Sequence, residues 1–291
     1  MITNALTVDV EDYFQVSAFE PHIDRADWDR LECRVERNIT RILALFAQHN
    51  AKATFFTLGW VAERYPTLVR EIVQQGHELA SHGFAHQRAS GLSEADFFAD
   101  ISRAKSLLED VAGVAVKGYR APSFSINERN LWAFDALSRA GYAYSSSIYP
   151  IRHDHYGMPD APRFAHRRAT GLLEIPITTL RLRGRNFPAS GGGYFRLLPY
   201  RASKWMFSQV NRLEQRPVVF YFHPWEIDPD QPRIQAAAAK AKFRHYLNLN
   251  RMEGRLAQLL QDFRWGRMDA IFLGEPHHGP VPFASAALQA A

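Results

Sequence analysis

His82 and His86 stand four residues apart in Gly76-His77-Glu78-Leu79-Ala80-Ser81-His82-Gly83-Phe84-Ala85-His86. That spacing would bring two imidazoles onto one face of a helical turn, where they could grip one metal ion. The same spacing also occurs in polar surface turns, so the pair needs company to count as a site. Gly83 occupies the place where a zinc protease of the H-E-x-x-H type has its general-base Glu, which excludes that chemistry. Carboxylates come from Leu6-Thr7-Val8-Asp9-Val10-Glu11-Asp12, read as a strand running out into acid. Strand alternation sends Asp9 and Glu11 to one side, and two carboxylates leaving together are costly unless a cation is shared. The plainer reading is a solvated loop, with Asp12 capping the next turn.

The elements that carry these residues alternate between strand and helix. Apolar residues at helical spacing predict a helix over 32–49, followed by a buried strand at 53–58 and a helix over 66–75 that stops at Gly76. Glu78 to Ser81 is a short strand that delivers the histidines, and Ser93 caps a helix closing at Gly113. A strand over 115–120 ends on Arg120-Ala121-Pro122, a helix opens at Asn127 or Glu128, and a strand follows over 142–147. Residues 148–200 break the rhythm and are expected to form a long substrate-side insertion, with one strand candidate at 172–176. A helix over 202–215 precedes the strongest β signal, Pro217 to Phe222, which runs into His223-Pro224-Trp225-Glu226. Helical spacing returns over 236–262, Ala270 to Leu273 reads as a last strand, and 276–291 as a flexible tail.

Asp9, Glu11, His82, His86, Arg120 and His223 each fall at or just past the end of an expected strand, and in a parallel α/β barrel those ends share one rim where ligands bind. Composition agrees with an enzyme-sized α/β domain, expected over 1–275: the chain has 291 residues, 46% of them hydrophobic. A net charge of +5, from 35 basic and 30 acidic residues without a long basic block, gives no support to nucleic-acid binding. Cys33 is the sole cysteine, which excludes an intrachain disulfide and a cysteine-rich zinc site. The start of the sequence has no secretory pattern and no window has the roughly 20 apolar residues of a membrane span, so a cytoplasmic protein without an integral membrane segment is expected. A homo-oligomer is compatible with everything above.

In order, spacing and local sequence these motifs resemble the polysaccharide deacetylases, carbohydrate esterase family four, which carry a NodB-like homology domain on a distorted (β/α)7-type barrel. The likeness covers residues 5–225 and rests on Val8-Asp9-Val10-Glu11-Asp12, Ser81-His82-Gly83-Phe84-Ala85-His86, Arg120-Ala121-Pro122 and Phe222-His223. It implies a hydrolase that removes N-acetyl groups from hexosamine units of a bacterial glycan, holding one divalent ion with an acidic residue, His82 and His86. Glu11 is the preferred acidic ligand and Asp12 the alternative. Zinc is the expected metal, and cobalt, nickel and iron suit the same donors. Asp9, steered by Arg120, would be the base, His223 the acid, and a backbone N–H between Pro122 and Phe124 the oxyanion donor. The stretches Ile151 to Gly157 and Ser190 to Phe195 resemble a branch linked to exopolysaccharide synthesis. Tyr194 on that insertion, with Pro122, would contact the sugar, and Trp225 with Glu226 would form a floor for a sugar ring, core packing being the equal alternative for Trp225. Ser145 departs from the family, which often has an Asp there. Two other readings remain, a cyclic imide or ureide hydrolase on the same barrel and a catalytically weakened glycan-binding protein.

Overall fold

Thr54-Phe55-Phe56-Thr57 is buried at every residue, the pattern of a strand covered on both faces, and such strands pair in parallel beneath helices. The computed structural model, which describes residues 2–154 and 156–274, is built on that theme. The order is β1 (Thr3–Val10), α1 (Val35–Gln48), β2 (Thr54–Thr57), α2 (Gly59–Arg64), α3 (Pro66–Gln74), β3 (Glu78–Ser81), α4 (Glu94–Ala112), β4 (Gly118–Tyr119), α5 (Trp132–Arg139) and β5 (Tyr144–Ser145). Then come β6 (His166–Arg167), β7 (Leu173–Glu174), β8 (Thr179–Leu182), β9 (Arg185–Pro188), α6 (Gly192–Leu197), α7 (Tyr200–Leu213) and β10 (Val219–Phe222). The described chain closes with α8 (Ala239–Tyr246), α9 (Leu249–Asp262), β11 (Arg264–Gly266) and α10 (Met268–Phe272).

One curled sheet runs β10-β1-β2-β3-β4-β5-β7-β6, and β11 also pairs with β1. All its ladders are parallel except β6 against β7. Its terminal strands β10 and β6 are not hydrogen-bonded to each other, so the expected α/β barrel is realised as an open half-barrel. The register brings strand ends level: Val10 pairs with Thr57, Thr57 with Ser81, and Ser81 with Tyr119. Glu11, His82 and Arg120 therefore leave the sheet side by side.

Helix ends follow their local chemistry. Ser93 accepts the Asp96 N–H at 3.1 Å to cap α4, and Gly113, at φ +67°, ends it in the left-handed region. Expectation and structure part in several places. The helix expected from Asn127 begins only at Trp132, because Asn130 Oδ1 accepts the Asn127 N–H and Asn127 Oδ1 accepts the Arg129 N–H, a side-chain turn that competes with the first helical turn. The last strand is Arg264–Gly266, whereas Ala270 to Leu273 lies in and just after α10; Met268 and Phe272, four residues apart, are its buried side. The stretch 148–200 is more ordered than a loop, holding β6, β7, a β8–β9 hairpin and α6. The expected tail at 276–291 lies outside the described residues.

Candidate active site

His82 and His86 do not sit on a helical turn. His82 continues the line of β3, and Gly83 (φ +76°) and His86 (φ +51°) bend the chain back so that the two rings lie 5.4 Å apart. A Cβ on Gly83 would come within 2.9 Å of Asp100 Oδ2, and that carboxylate accepts the Phe84 N–H at 3.1 Å, so Asp100 on α4 pins the loop. Burial lifts the Asp100 carboxyl to about 6.

Glu11 completes the group. Its Oε2 lies 2.7 Å from His86 Nε2 and 4.0 Å from His82 Nε2, and one ligand atom from each of the three residues falls within 4.8 Å of the others. All three residues are buried. Glu11 Oε2 makes no aligned hydrogen bond, and His86 Nδ1 has no partner among the described residues. His82 Nδ1 lies 2.8 Å from the Arg120 carbonyl; donating there leaves the Nε2 lone pair facing Glu11. Burial holds the His82 imidazole down at about 4 and therefore neutral. Burial would raise the Glu11 carboxyl, but His86 and His223 outweigh it and keep it well below the usual carboxylate range. A lone pair and an orphaned carboxylate oxygen converging in the dry interior is the donor set a cation satisfies.

Asp12 has a different job. Its carboxylate accepts the N–H groups of Tyr13 (2.7 Å), Arg34 (2.5 Å) and Val35 (2.8 Å) and the Cys33 thiol (3.1 Å), which ties the loop after β1 to the start of α1. It caps structure rather than facing the histidines.

Arg120 is completely buried, and every arm is used. Nη1 donates to Asp9 Oδ1 (2.6 Å) and Thr7 Oγ1 (2.8 Å), Nε to the Ser146 carbonyl (3.1 Å) and Nη2 to Ser146 Oγ (3.0 Å). Asp9 Oδ2 is left 4.0 Å from His223 Nε2, which is itself 3.6 Å from Glu11 Oε1. His223 is the most exposed of these groups, with 20% of its side chain accessible against 4% or less for Asp9, Glu11, His82, His86 and Arg120. Burial alone would lower its imidazole; Glu11, Glu226 and Asp9 reverse this and raise it to about 9.

Behind His223 stands Glu226, which supports that ring rather than a sugar, paired with Arg196, a residue that sequence reasoning does not single out. Glu226 Oε1 accepts from His223 Nδ1 (2.8 Å) and the His223 N–H (3.0 Å), and Glu226 Oε2 accepts from Arg196 Nε at 2.6 Å. Arg196 and Glu226 are both buried, and Arg196 also donates to the carbonyls of His245 (2.9 Å) and Leu247 (2.5 Å). The Gly191-Gly192-Gly193 run explains how α6 comes so close: a Cβ on Gly192 would sit 2.0 Å from Glu226 Oε1, and one on Gly191 would sit 2.7 Å from the Tyr221 ring.

Trp225 is not a sugar floor. It is buried, stacked between His223 (5.1 Å, 16°) and His245 (4.0 Å, 14°), and its Nε1 donates to Glu11 Oε1 at 3.3 Å. Pro122 is also buried; in the turn it opens, Ser123 and Phe124 are both left-handed. The Phe124 N–H is spent on the Ala121 carbonyl at 3.0 Å, which leaves Ser123 as the residue of that turn whose N–H has no acceptor among the described residues. Tyr194, on α6, is half buried against the cluster containing Tyr149 and Tyr221. Ser145, where the family often has an Asp, pairs with Glu174 on β7; that buried carboxylate accepts the Ser147 and Ile148 N–H groups at 3.0 and 2.9 Å.

Residues 27–145 match the family model described as polysaccharide deacetylase, and residues 146–273 match a domain of unknown function. Asp9 and Glu11 precede both segments, while His223, Glu226 and Arg196 fall in the second. The chain is similar to a peptidoglycan-N-acetylglucosamine deacetylase of Bacillus cereus, 37% identical over 94 residues, which is 32% of this chain and 34% of that protein. It is also similar to a chitooligosaccharide deacetylase of Sinorhizobium fredii, 29% identical over 37% of this chain and 48% of that protein. The matched stretches span about a third to a half of these relatives. A Mycobacterium smegmatis structure provisionally described as a polysaccharide deacetylase superposes over 97% of this chain and 96% of its own, with TM-score 0.59 and 19% identity, a likeness of fold.

Proposed function

We propose that this chain, which carries a polysaccharide deacetylase domain over residues 27–145, is a metal-dependent hydrolase that removes N-acetyl groups from hexosamine units of a glycan, releasing acetate and a free amine. The observation that carries the reading is the buried Glu11–His82–His86 group set beside Asp9–Arg120 on one side and His223 on the other. The residues fit a divalent ion, because Glu11 Oε2 and His86 Nδ1 are otherwise unsatisfied, and one carboxylate with two imidazoles suits zinc first, with cobalt, nickel and iron as alternatives. When bound, the ion supplies Lewis-acid polarisation of the amide carbonyl and of water.

The remaining work belongs to the chain. Arg120 holds Asp9 Oδ1, which fixes Oδ2 toward the site to accept the proton of the attacking water. Ser123 is the backbone donor we assign to the developing oxyanion. His223, fixed through Nδ1 by Glu226, delivers the Nε2 proton to the departing nitrogen as the C–N bond breaks, since an amine leaves poorly as an anion. Because Glu11, the two histidines and His223 come from separate parts of the chain, we read residues 1–275 as one catalytic unit. Tyr194, on α6, is the sugar contact we retain. The relatives act on peptidoglycan and chitooligosaccharide, and a bacterial surface glycan such as an exopolysaccharide is the substrate class we assign.

Acetate release from chitooligosaccharides, measured before and after chelation and again on adding back zinc, tests the proposal. Loss and recovery of turnover are expected. Full activity in metal-free protein, or hydrolysis of small cyclic imides without any acetate release, would overturn it.

A further inference from the structure

The positive surplus of the chain is concentrated in one place. Residues 179–216 hold eight basic side chains against the single acid Glu214, a net +7 in a chain whose total is +5. The same stretch holds five of the seven exposed large apolar side chains among the described residues: Leu182, Phe187, Leu197, Trp205 and Leu213. Exposed apolar groups scattered singly need no explanation, but their coincidence with unpaired cations does.

The geometry sets all of these apolar side chains but Leu197, which ends α6, on two adjacent elements. The β8–β9 hairpin is a separate two-stranded sheet whose turn, Arg183-Gly184, is left-handed at both residues (φ 49° and 79°). Leu180 faces Phe187 and Leu182 faces Arg185 across it, so Leu180, Leu182 and Phe187 share one face. Leu180 is buried in the core that also receives Met206 and Phe207 of α7, while Leu182 (40% accessible) and Phe187 (45%) are left in solvent. Arg163 binds Thr179 at the hairpin base and Glu214 just past the end of α7, which joins the two elements and consumes the one acid. On α7, Arg201, Trp205 and Arg212 follow helical spacing along the exposed side, with Leu213 beside them. Among the described residues the guanidinium groups of Arg181, Arg183, Arg185, Arg201 and Arg212 form no ion pair; the ion pairs of this region are Arg163 with Glu214, Arg196 with Glu226 and Lys204 with Asp262.

The hairpin is rooted at the end of β10 opposite the catalytic rim. The base of the hairpin is fastened to the first residue of β10, through the Val219 N–H to Thr178 Oγ1 (2.7 Å) and Ser190 Oγ to the Val219 carbonyl (2.6 Å), whereas His223 follows the last. A glycan in the site is therefore not what these arginines hold. An acidic polymer would use the charge and leave the leucines, Phe187 and Trp205 in water. A lipid interface uses both together, with guanidinium groups at the phosphates and apolar side chains among the upper acyl chains. No helix of the described residues is long and apolar enough to cross a membrane, so the contact these residues offer is peripheral.

We propose that the β8–β9 hairpin and the exposed side of α7 dock the protein on an anionic lipid bilayer, with the rim of the half-barrel turned away from it. The test is co-sedimentation of the full chain with vesicles of phosphatidylglycerol and phosphatidylcholine against vesicles of phosphatidylcholine alone. Three arginines at an anionic surface raise the partition coefficient roughly 100-fold. The R181E/R183E/R185E variant should lose that gain, and L182S/F187S, with every charge kept, should bind about tenfold more weakly. Both variants should keep the far-UV circular dichroism of the parent and its acetate release from soluble chitooligosaccharide; vesicle binding is read independently of that activity. Equal binding to both vesicles, or parental binding by either variant, would overturn the proposal. So would capture by an acidic polysaccharide without vesicle binding, or a dimer in solution that L182S/F187S dissolves, which would assign the surface to a polymer or to a second copy of the chain.

Discussion

Replacing Glu226 by Gln removes one negative charge from a place where nothing else can supply it. Glu226 is fully buried, Arg196 is 1% accessible, and their contact is 2.6 Å. Breaking a buried pair from one side leaves the other charge uncompensated, at about 3–5 kcal/mol. Arg196 keeps the carbonyls of His245 and Leu247, so the lower end, about 3 kcal/mol, is expected. At roughly 2–4 °C per kcal/mol, melting should fall by about 6–12 °C. The same change removes the anion that receives His223 Nδ1–H, freeing the ring to turn its Nε2 away from Asp9 and Glu11. A positioned general acid contributes about 10²- to 10⁴-fold, so kcat for acetate release should drop at least about 100-fold while KM stays within about twofold. Combining Arg196→Met with Glu226→Gln separates the two effects, because it removes both charges and should restore most of the melting temperature while leaving kcat low. A Glu226→Gln enzyme that turns over like the parent, or a double variant that regains activity along with stability, would refute the role of the pair.

Gly192→Ala should act on the same contact, since its Cβ would lie 2.0 Å from Glu226 Oε1; overpacking of about 1–3 kcal/mol and a lower kcat are expected by thermal melting and acetate assay. Glu11→Gln should reduce bound metal, measured by elemental analysis, with the fold retained. Asp12→Ala should keep the metal and cost about 2 kcal/mol in denaturant unfolding, because it strands the Arg34 and Val35 N–H groups. His77 should set an acid limit to stability. It is buried, its Nδ1 accepts the Ala53 N–H at 3.1 Å, and burial, with Lys52 and Arg267 nearby, lowers it to about 4 from an ordinary 6.5. A depressed histidine binds fewer protons folded than unfolded, so its contribution is whole above about pH 6.5 and is lost as pH falls through 4, about 3 kcal/mol in all. Unfolding of His77→Phe, packed between Phe46 and Phe55, should show that acid limb flattened.

Much of the fold and of the site was legible from local patterns. Ser93 and Gly113 marked both ends of α4, and Glu78 to Ser81 was bounded correctly, because caps and alternation are properties of a few adjacent residues. Glu11, His82, Arg120 and His223 stand out as polar residues at strand ends, Asp9 by alternation with Glu11, and His86 by its spacing from His82. The stretch 148–200 resisted the same reading, since two-residue strands such as β6 and β7 are too short to show a period. α10 was mistaken for a strand because four apolar residues in a row do not distinguish the two.

Periodicity in the chain places the candidate site residues at strand ends, and alternation along β1 favours Glu11 over Asp12 as the partner of Asp9. Register and curl of the sheet decided which of them meet, bringing residue 11 within 2.7 Å of residue 86 across a sequence gap that no local pattern spans. Tertiary packing alone moved Trp225 from expected sugar floor to hydrogen-bond donor of Glu11, and recruited Arg196, a residue of no evident motif, to steady Glu226. The physical reason is range: a cap or an alternating strand is settled by neighbours along the chain, whereas a buried charge selects its partner by proximity in space, once burial has removed water as the alternative.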